Sequence, residues 1–333
     1  MRVAVQTYLP SVMADLLDAL AGTAERLGCD VVRNTARVAY DAGAVSVVWN
    51  GRSHVATGPS VYCEHGWFPR SDFQLSPTGI NAGSHLSPFR WDGVPLSPEV
   101  DAALEAHMAA IRSASHGGFE QYMEAGAEPA DGLPSEFLLV PLQIKGDLNL
   151  VRYAPPHLQT MQALVDYVSA IDPPWPVVFK QHPVDVRSER NVHLGLRLSR
   201  PHDVLWPHAR GNVHQVLRSG RCRGILTINS NVAHDGLLWD VPAVVLGRNL
   251  WPTTGVRPFL TAPPDDWSAL EDSATSPEGR ACRRAYAWFL ARNQWTLADA
   301  NDPARVAALF EDAVRRGPPP PFCPEAAGAL AAD

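Results

Sequence analysis

The stretch TINSNVAHDGLLWDVPAVVLG, residues 227–247, reads as one strand–helix–strand unit. An apolar strand, GILTINS (224–230), runs into Asn229, Ser230 and Asn231, where a helix begins. NVAHDGLLWD supplies the helix and PAVVLG (242–247) the next strand. Two strands joined through a helix lie parallel, because a tight hairpin would reverse the chain. Asn and Ser at the junction are residues that cap helices. They also set a hydroxyl beside the first helical amides, which suits an anion such as a phosphate. Asp235 lies one helical turn further on, where it could reach a ribose hydroxyl.

The alternation extends outward. Upstream lie a short helix (212–219), a strand PVVFKQH (176–182) and an amphipathic helix (156–171). Before them comes FLLVPLQI (137–144), apolar throughout like a strand buried on both faces. Downstream, helices are expected near 279–293 and 303–315, followed by a Pro- and Ala-rich tail. The amino-terminal part repeats the theme. It gives a strand RVAVQTY, a helix 10–28 ended by Gly28, strands 44–51 and 60–67, a polar loop 69–98 and a helix 98–115. Strand–helix alternation predicts a parallel sheet covered on both faces. It occurs twice, with a break near 150–156. The fold class is therefore α/β, with two Rossmann-like domains facing a cleft. Residues 1–153 form the first domain and 154–280 the second. Residues 281–333 are helices and a tail that pack back on the first. A length of 333 residues fits two domains of about 150 each.

Composition narrows the function classes. With 46% hydrophobic and 19% charged residues the chain is ordinary globular protein. A net charge of −7 gives no support to nucleic-acid binding. Five scattered cysteines without a CxxC pair fit a reducing compartment. No apolar run reaches the roughly 18 residues of a membrane span, and the start lacks a signal-peptide pattern. The expectation is a cytoplasmic protein, with peripheral contact at the inner face of the cytoplasmic membrane left open. No HExxH or HxH spacing occurs, so no metal site is expected, and without GxGxxG dinucleotide binding has no direct support.

Ligands of such sheets bind beyond the carboxyl ends of the strands. Glu64, Asp147, His182 and Ser230 stand at those ends. In EHGWFPR (64–70), Glu64 could serve as a general base, and Gly66 lets a substrate or a backbone approach closely. A surface acid capping a loop reads equally well. In QIKGD (143–147), Asp147 could be a nucleophile, a base or a metal ligand, and a helix-capping or turn aspartate is the competing reading. In KQHP (180–183), Pro183 ends the strand and fixes His182 at its tip. The chain has only two lysines, Lys145 and Lys180, and each precedes one of these residues by two positions. All other basic residues are arginines, so a compact, strongly hydrated ammonium is retained at these two places.

Taken together the motifs resemble those of the capsule-polysaccharide synthesis family of bacterial glycosyltransferases, which includes the retaining β-Kdo (3-deoxy-manno-octulosonic acid) transferases. The resemblance rests on EHGWFPR with Arg70, leading to GIN (79–81) with Asn81, then PLQxxxD (141–147) with Gln143, then KxHP (180–183), then NSxV with a downstream acid (229–235). It spans roughly residues 60–250. It implies a GT-B fold, a CMP-β-Kdo donor, a glycan or glycolipid acceptor, and no metal or cofactor. It implies further that Asp147 is the nucleophile, Glu64 the acid/base and His182 the histidine near the leaving phosphate. Lys145, Lys180, Gln143, Gly66, Asn229, Ser230, Asn231, Asp235, Arg70 and Asn81 are then substrate-binding. The chain departs from the family pattern in the helix after Ser230, with Ala233 and Asp235 where Gly and Glu are common. A nucleotide-sugar 2-epimerase, a transferase using another nucleotide sugar and a non-catalytic carbohydrate-binding protein are the competing readings.

Overall fold

The structure, a computed structural model, describes residues 1–6, 11–34, 44–50, 58–113, 132–187 and 192–318. Its strands are β1 (Arg2–Gln6), β2 (Asp30–Asn34), β3 (Val45–Trp49), β4 (Ser60–His65), β5 (Phe73–Ser76), β6 (Phe137–Pro141), β7 (Val177–Lys180), β8 (Val204–Trp206), β9 (Cys222–Thr227) and β10 (Ala243–Val245). Its helices are α1 (Ser11–Arg26), α2 (Pro98–Ser113), α3 (Leu148–Tyr153), α4 (Met161–Ala170), α5 (Pro183–Arg187), α6 (Val213–Arg218), α7 (Val232–Leu238), α8 (Ser268–Thr275), α9 (Pro277–Arg292), α10 (Leu297–Ala300) and α11 (Pro303–Arg316). The tail from 319 and the ends of four expected elements (residues 7–8, 10, 51 and 114–115) lie outside the described residues.

The chain forms two compact units, the first made of Met1–Ser87 with Arg292–Cys323. Its sheet has the order β2-β1-β3-β4-β5, parallel except for β5, which runs antiparallel to β4. Side chains alternate across the strands. Val3, Val5, Val47 and Val61 pack with Leu16 and Leu20 of α1 and Phe310 of α11. Ala4, Val48 and Tyr62 face the other way and meet Ile80. Both faces are covered, which is why the central strands β1 and β3 are largely apolar.

The second unit holds Pro88–Ala291. Its sheet, β10-β9-β6-β7-β8, is parallel throughout. Leu138, Val140, Phe179, Leu226 and Val244 pack against Leu164, Val165 and Val168 of α4. Each such side chain contributes about 1.5–3 kcal/mol by leaving water. After β6 the chain goes to β7 on one side, while β9 lies on the other. The sheet therefore changes direction between β6 and β9, where α/β sheets hold ligands.

Both expected Rossmann-like sheets are present, but the boundary differs. It falls at residues 87 and 88 rather than after 153, because β6 is hydrogen-bonded between β7 and β9 in the second sheet. The end segment divides too. α9 stays with the second unit, and from Arg292 the chain belongs to the first. There Trp295 exchanges backbone hydrogen bonds of 2.8 Å with Phe73, and Thr23 donates to the Ala300 carbonyl at 2.8 Å. Strands β2, β5 and β8 and helices α3, α5, α8 and α10 were not expected. β5 sits inside the supposed polar loop, where FQLS is fully buried. The expected helix 156–171 is a 3₁₀ turn followed by α4, which Thr160 caps through a 3.2 Å bond from the Ala163 amide.

Candidate active site

In the first unit, EHGWFPR leaves β4 in a tight loop. Glu64 is half-buried, and its Oε1 accepts the His65 amide at 2.9 Å. A Cβ on Gly66 would sit 2.6 Å from the Pro69 carbonyl and 2.7 Å from Gln294 Oε1. Glycine is therefore required by the chain's own backbone and Gln294. Gln294 Oε1 accepts the amides of both Trp67 and Phe68, and Phe68–Pro69 is a cis peptide. Asn81 is 1% exposed, in the left-handed region at φ 49°. Its Oδ1 accepts from Trp67 Nε1 (3.1 Å) and Gln74 Nε2 (3.2 Å). Its amide donates to Gln74 Oε1 (3.0 Å). Asn81 thus locks the loop from within. Burial, helped by the Arg70 charge, lowers the His65 pKa to about 3, so His65 is neutral.

In the second unit the carboxyl ends of all five strands meet in one hydrogen-bonded belt. Gln143, just past β6, donates to Asn229 Oδ1 at 3.0 Å and accepts the Asn229 amide at 3.4 Å. This pair spans β6 and β9 at the point where the sheet changes direction. Asn229 in turn donates to the Asn149 carbonyl at 2.8 Å. Asn249, just past β10, donates to the Asn229 carbonyl (3.1 Å) and to Asn231 Oδ1 (3.2 Å). On the other side, His193 lies 3.2 Å from the Gln143 carbonyl through Nε2 and accepts the His182 amide through Nδ1 at 3.2 Å. With Nδ1 accepting, Nε2 carries the proton, and burial keeps the ring's pKa low. Asp185 accepts the His193 amide (3.2 Å) and Gln181 Nε2 (2.8 Å), and Gln181 accepts the His208 amide beyond β8 (3.1 Å).

Three residues stand on this belt with chemistry to offer. Asp147 is half-buried and caps α3, with Oδ1 accepting the Asn149 amide at 2.9 Å. Gly146 before it, at φ 80°, makes the left-handed turn that aims the carboxylate. His182 is half-buried, and its Nδ1 accepts the Val184 amide at 3.1 Å. The neutral ring then carries its proton on Nε2, as a donor. Ser230 Oγ accepts the Val232 amide at 3.3 Å, which leaves its hydroxyl hydrogen to give.

The two lysines part company. Lys145 is exposed. Lys180 is 4% exposed, with Nζ 3.4 Å from the Gln181 carbonyl and 3.4 Å from His208 Nδ1. Burial lowers its pKa to about 7. Asp235 is 2% exposed and lies 3.6 Å from His214 Nε2, which braces α7 against α6. Asn229 is likewise 1% exposed and serves the belt. Of the expected residues, Glu64, Gly66, Arg70 and Asn81 lie on the first unit and the rest on the second.

Several residues of the site were not anticipated. Gln181 and Asp185 lie within or just past KQHP and were open to a local reading. Gln294, Asn249, His193 and His208 come from distant segments. Arg248, exposed past β10 with its guanidinium 5.9 Å from the Tyr153 ring centre, brings another cation to this edge. Among the described residues, no group of three or more His, Cys, Asp or Glu side chains is placed to hold a metal ion. No described helix is long and apolar enough to cross a membrane.

Comparison with known proteins adds a family. The profile described as "Capsule polysaccharide biosynthesis protein" matches residues 99–269. A search of curated proteins returns no significant match. Among solved structures, the chain is similar to Thermosulfurimonas dismutans KpsC, beta Kdo 2,4 transferase, at 18% identity and a TM-score of 0.48, covering 74% of this chain and 80% of that one. Thermosulfurimonas dismutans KpsC, beta Kdo 2,7 transferase, matches at 11% identity and a TM-score of 0.47, covering 88% and 98%. Methanocaldococcus jannaschii UDP-GlcNAc 2-epimerase follows at 12% identity and a TM-score of 0.30, covering 94% and 100%.

Proposed function

We propose, from the premise that this chain belongs to the capsule polysaccharide biosynthesis protein family, that it is a retaining glycosyltransferase of GT-B type. The donor is CMP-β-Kdo and the acceptor a bacterial surface polysaccharide or its lipid-linked precursor. The observation that carries this reading is the Gln143–Asn229 bridge. It ties the QIKGD and INSN loops together at the point where the sheet changes direction, with Asp147 and Ser230 beside it.

Asp147 attacks the anomeric carbon as CMP leaves, giving a glycosyl ester. His182 donates a hydrogen bond from Nε2 to the leaving phosphate, and Ser230 donates one from its hydroxyl to the same group. Glu64 takes the proton of the acceptor hydroxyl as it attacks the anomeric carbon, breaking the bond to Asp147 and freeing its carboxylate with net retention. The donor carries a phosphate and a sugar carboxylate. Bringing a carboxylate to about 4 Å from one such charge costs on the order of 4 kcal/mol at an effective dielectric of 20. Lys145 and Arg248, both exposed at this edge, offset that repulsion. Lys180 supports the fold of the edge, since its amine is turned to the Gln181 carbonyl and His208.

Incubation with CMP-Kdo generated in situ and a panel of synthetic glycan acceptors tests the reading. CMP release with a matching mass gain on an acceptor is expected. Intact-protein mass spectrometry should detect a Kdo adduct that Asp147→Asn lacks. Consumption of UDP-sugars alone would overturn the donor assignment.

A further inference from the structure

At the opposite edge of the second sheet lies a cavity of about 380 Å³. α7 runs from the carboxyl end of β9 back to the amino end of β10, and the cavity opens where α7 ends. Arg280, Arg283 and Arg284 of α9 line it, with Asp240 and the apolar Met108 and Leu237.

We propose that this cavity is a second ligand site, taking the oxyanion (carboxylate or phosphate) of a sugar-sized ligand on Arg280 and Arg283. The three arginines differ in what already satisfies them. Arg284 is held by Asp101 and by Glu105 at 3.0 Å, so its charge is met. Arg283 is 5% exposed, and its Nη2 donates to the Val241 carbonyl at 3.2 Å, capping the turn after α7. Its Nη1 is buried without an acceptor among the described residues. Arg280 is exposed, and its Nη2 reaches only the Thr275 carbonyl, at 3.2 Å.

A buried donor left unmatched costs about 1–3 kcal/mol, so such a group calls for a partner. Burial lowers the Arg283 pKa to about 10, against the pull of Asp240. An oxyanion with two oxygens matches the guanidinium fork. Asp240 opposes a bare anion, but it is placed to accept a hydroxyl of the same ligand. That favours an acidic or phosphorylated sugar over inorganic phosphate. The apolar Met108 and Leu237 suit the carbon face of a ring. The volume lies within the range of small-molecule pockets.

Calorimetric titration of the full chain with D-glucuronate, glucose 6-phosphate and inorganic phosphate, with and without saturating CMP, tests the proposal. At least one of the two sugars is expected to bind more tightly than phosphate, equally with CMP present. The tighter of the two identifies the carboxylate or the phosphate. Arg280→Gln and Arg283→Gln should each weaken binding at least tenfold. If Arg283→Gln does not fold, Arg280→Gln decides alone, since Arg280 is exposed. Binding of neither sugar, displacement by CMP, or unchanged affinity in Arg280→Gln would each overturn it. The outcome is independent of whether CMP-Kdo is the donor.

Discussion

Lys145 and Lys180 carry the same signal in the sequence and opposite physics in the fold. Each precedes a candidate catalytic residue by two positions, at the ends of neighbouring strands β6 and β7. Lys145 is exposed on the loop that presents Asp147. Lys180 is 4% exposed, and its nitrogen is turned to a carbonyl and an imidazole. A retained lysine therefore marks two different needs: a charge available to a ligand, and a long apolar stem with one small polar tip in a packed edge. In the proposed mechanism the β6 end carries the reacting carboxylate, and Lys180 at the β7 end helps to hold the belt beneath it.

The largest expected effect lies at the β6 end. Asp147→Asn should lower transfer at least ~10³-fold, about 4 kcal/mol of barrier, since the amide is no nucleophile. The side chain still offers an oxygen to the Asn149 amide, so the helix cap survives. Thermal unfolding should therefore change little while the rate collapses. Full activity in Asp147→Asn would break the comparison at its root.

Next comes the belt. Gln143→Leu keeps the backbone carbonyl that His193 uses but removes both side-chain bonds to Asn229, which is 1% exposed. Leaving those groups unmatched should cost about 2–3 kcal/mol. Urea unfolding should show this as a lower midpoint with an unchanged slope. An unchanged midpoint would mean that the two strand ends do not depend on each other.

How far the sequence revealed this site follows from the range of each contact. Strands β6, β7 and β9 were legible because burial on both faces leaves unbroken apolar runs. Asp147, His182 and Ser230 were legible because strand ends in an alternating α/β chain are where ligands go. Strands β2 and β8 escaped as short edge strands that are only partly buried, and β5 because its four residues hide between turn-forming ones. The boundary at residue 87 escaped because no local pattern says which sheet FLLVP joins. Gln294, more than two hundred residues from the loop it holds, leaves no local signal. The burial of Asp235 left no signal, because one-turn spacing gives a position along a helix and not the face it takes when the whole helix is buried. The burial of Lys180 was hidden for the same reason, since only tertiary packing separates it from Lys145.

Lys180 gives the comparison a pH signature. Its pKa falls from the usual 10.5 to about 7 in the folded chain. Between those values the unfolded chain holds a proton that the folded chain has released. Stability should therefore rise with pH across that window, by up to about 1.4 kcal/mol per unit from this group. Below about pH 7 both states are charged and the burial penalty is present in full. Lys180→Met, with a similar stem and no charge, should be more stable than the parent near pH 6, and the gap should close as pH rises. Equal slopes of stability against pH in the two proteins would show that the amine stays charged when buried.

The smallest effect belongs to Lys145, and it separates charge from structure. Lys145 is exposed, so Lys145→Ala should change stability by no more than about 0.5 kcal/mol at any pH. Its consequence should appear in donor binding, as a rise of a fewfold in KM for CMP-Kdo with a small change in kcat. Screening makes the assignment specific. At about 0.15 M salt the Debye length is near 8 Å, and at 1 M near 3 Å, so raising salt should erase most of the difference between Lys145→Ala and the parent. Lys145→Arg should keep the parental KM if only a positive charge is needed. If Lys145→Arg is as impaired as Lys145→Ala, the compact ammonium itself is what the loop requires, which would account for a lysine standing where this chain otherwise uses arginine.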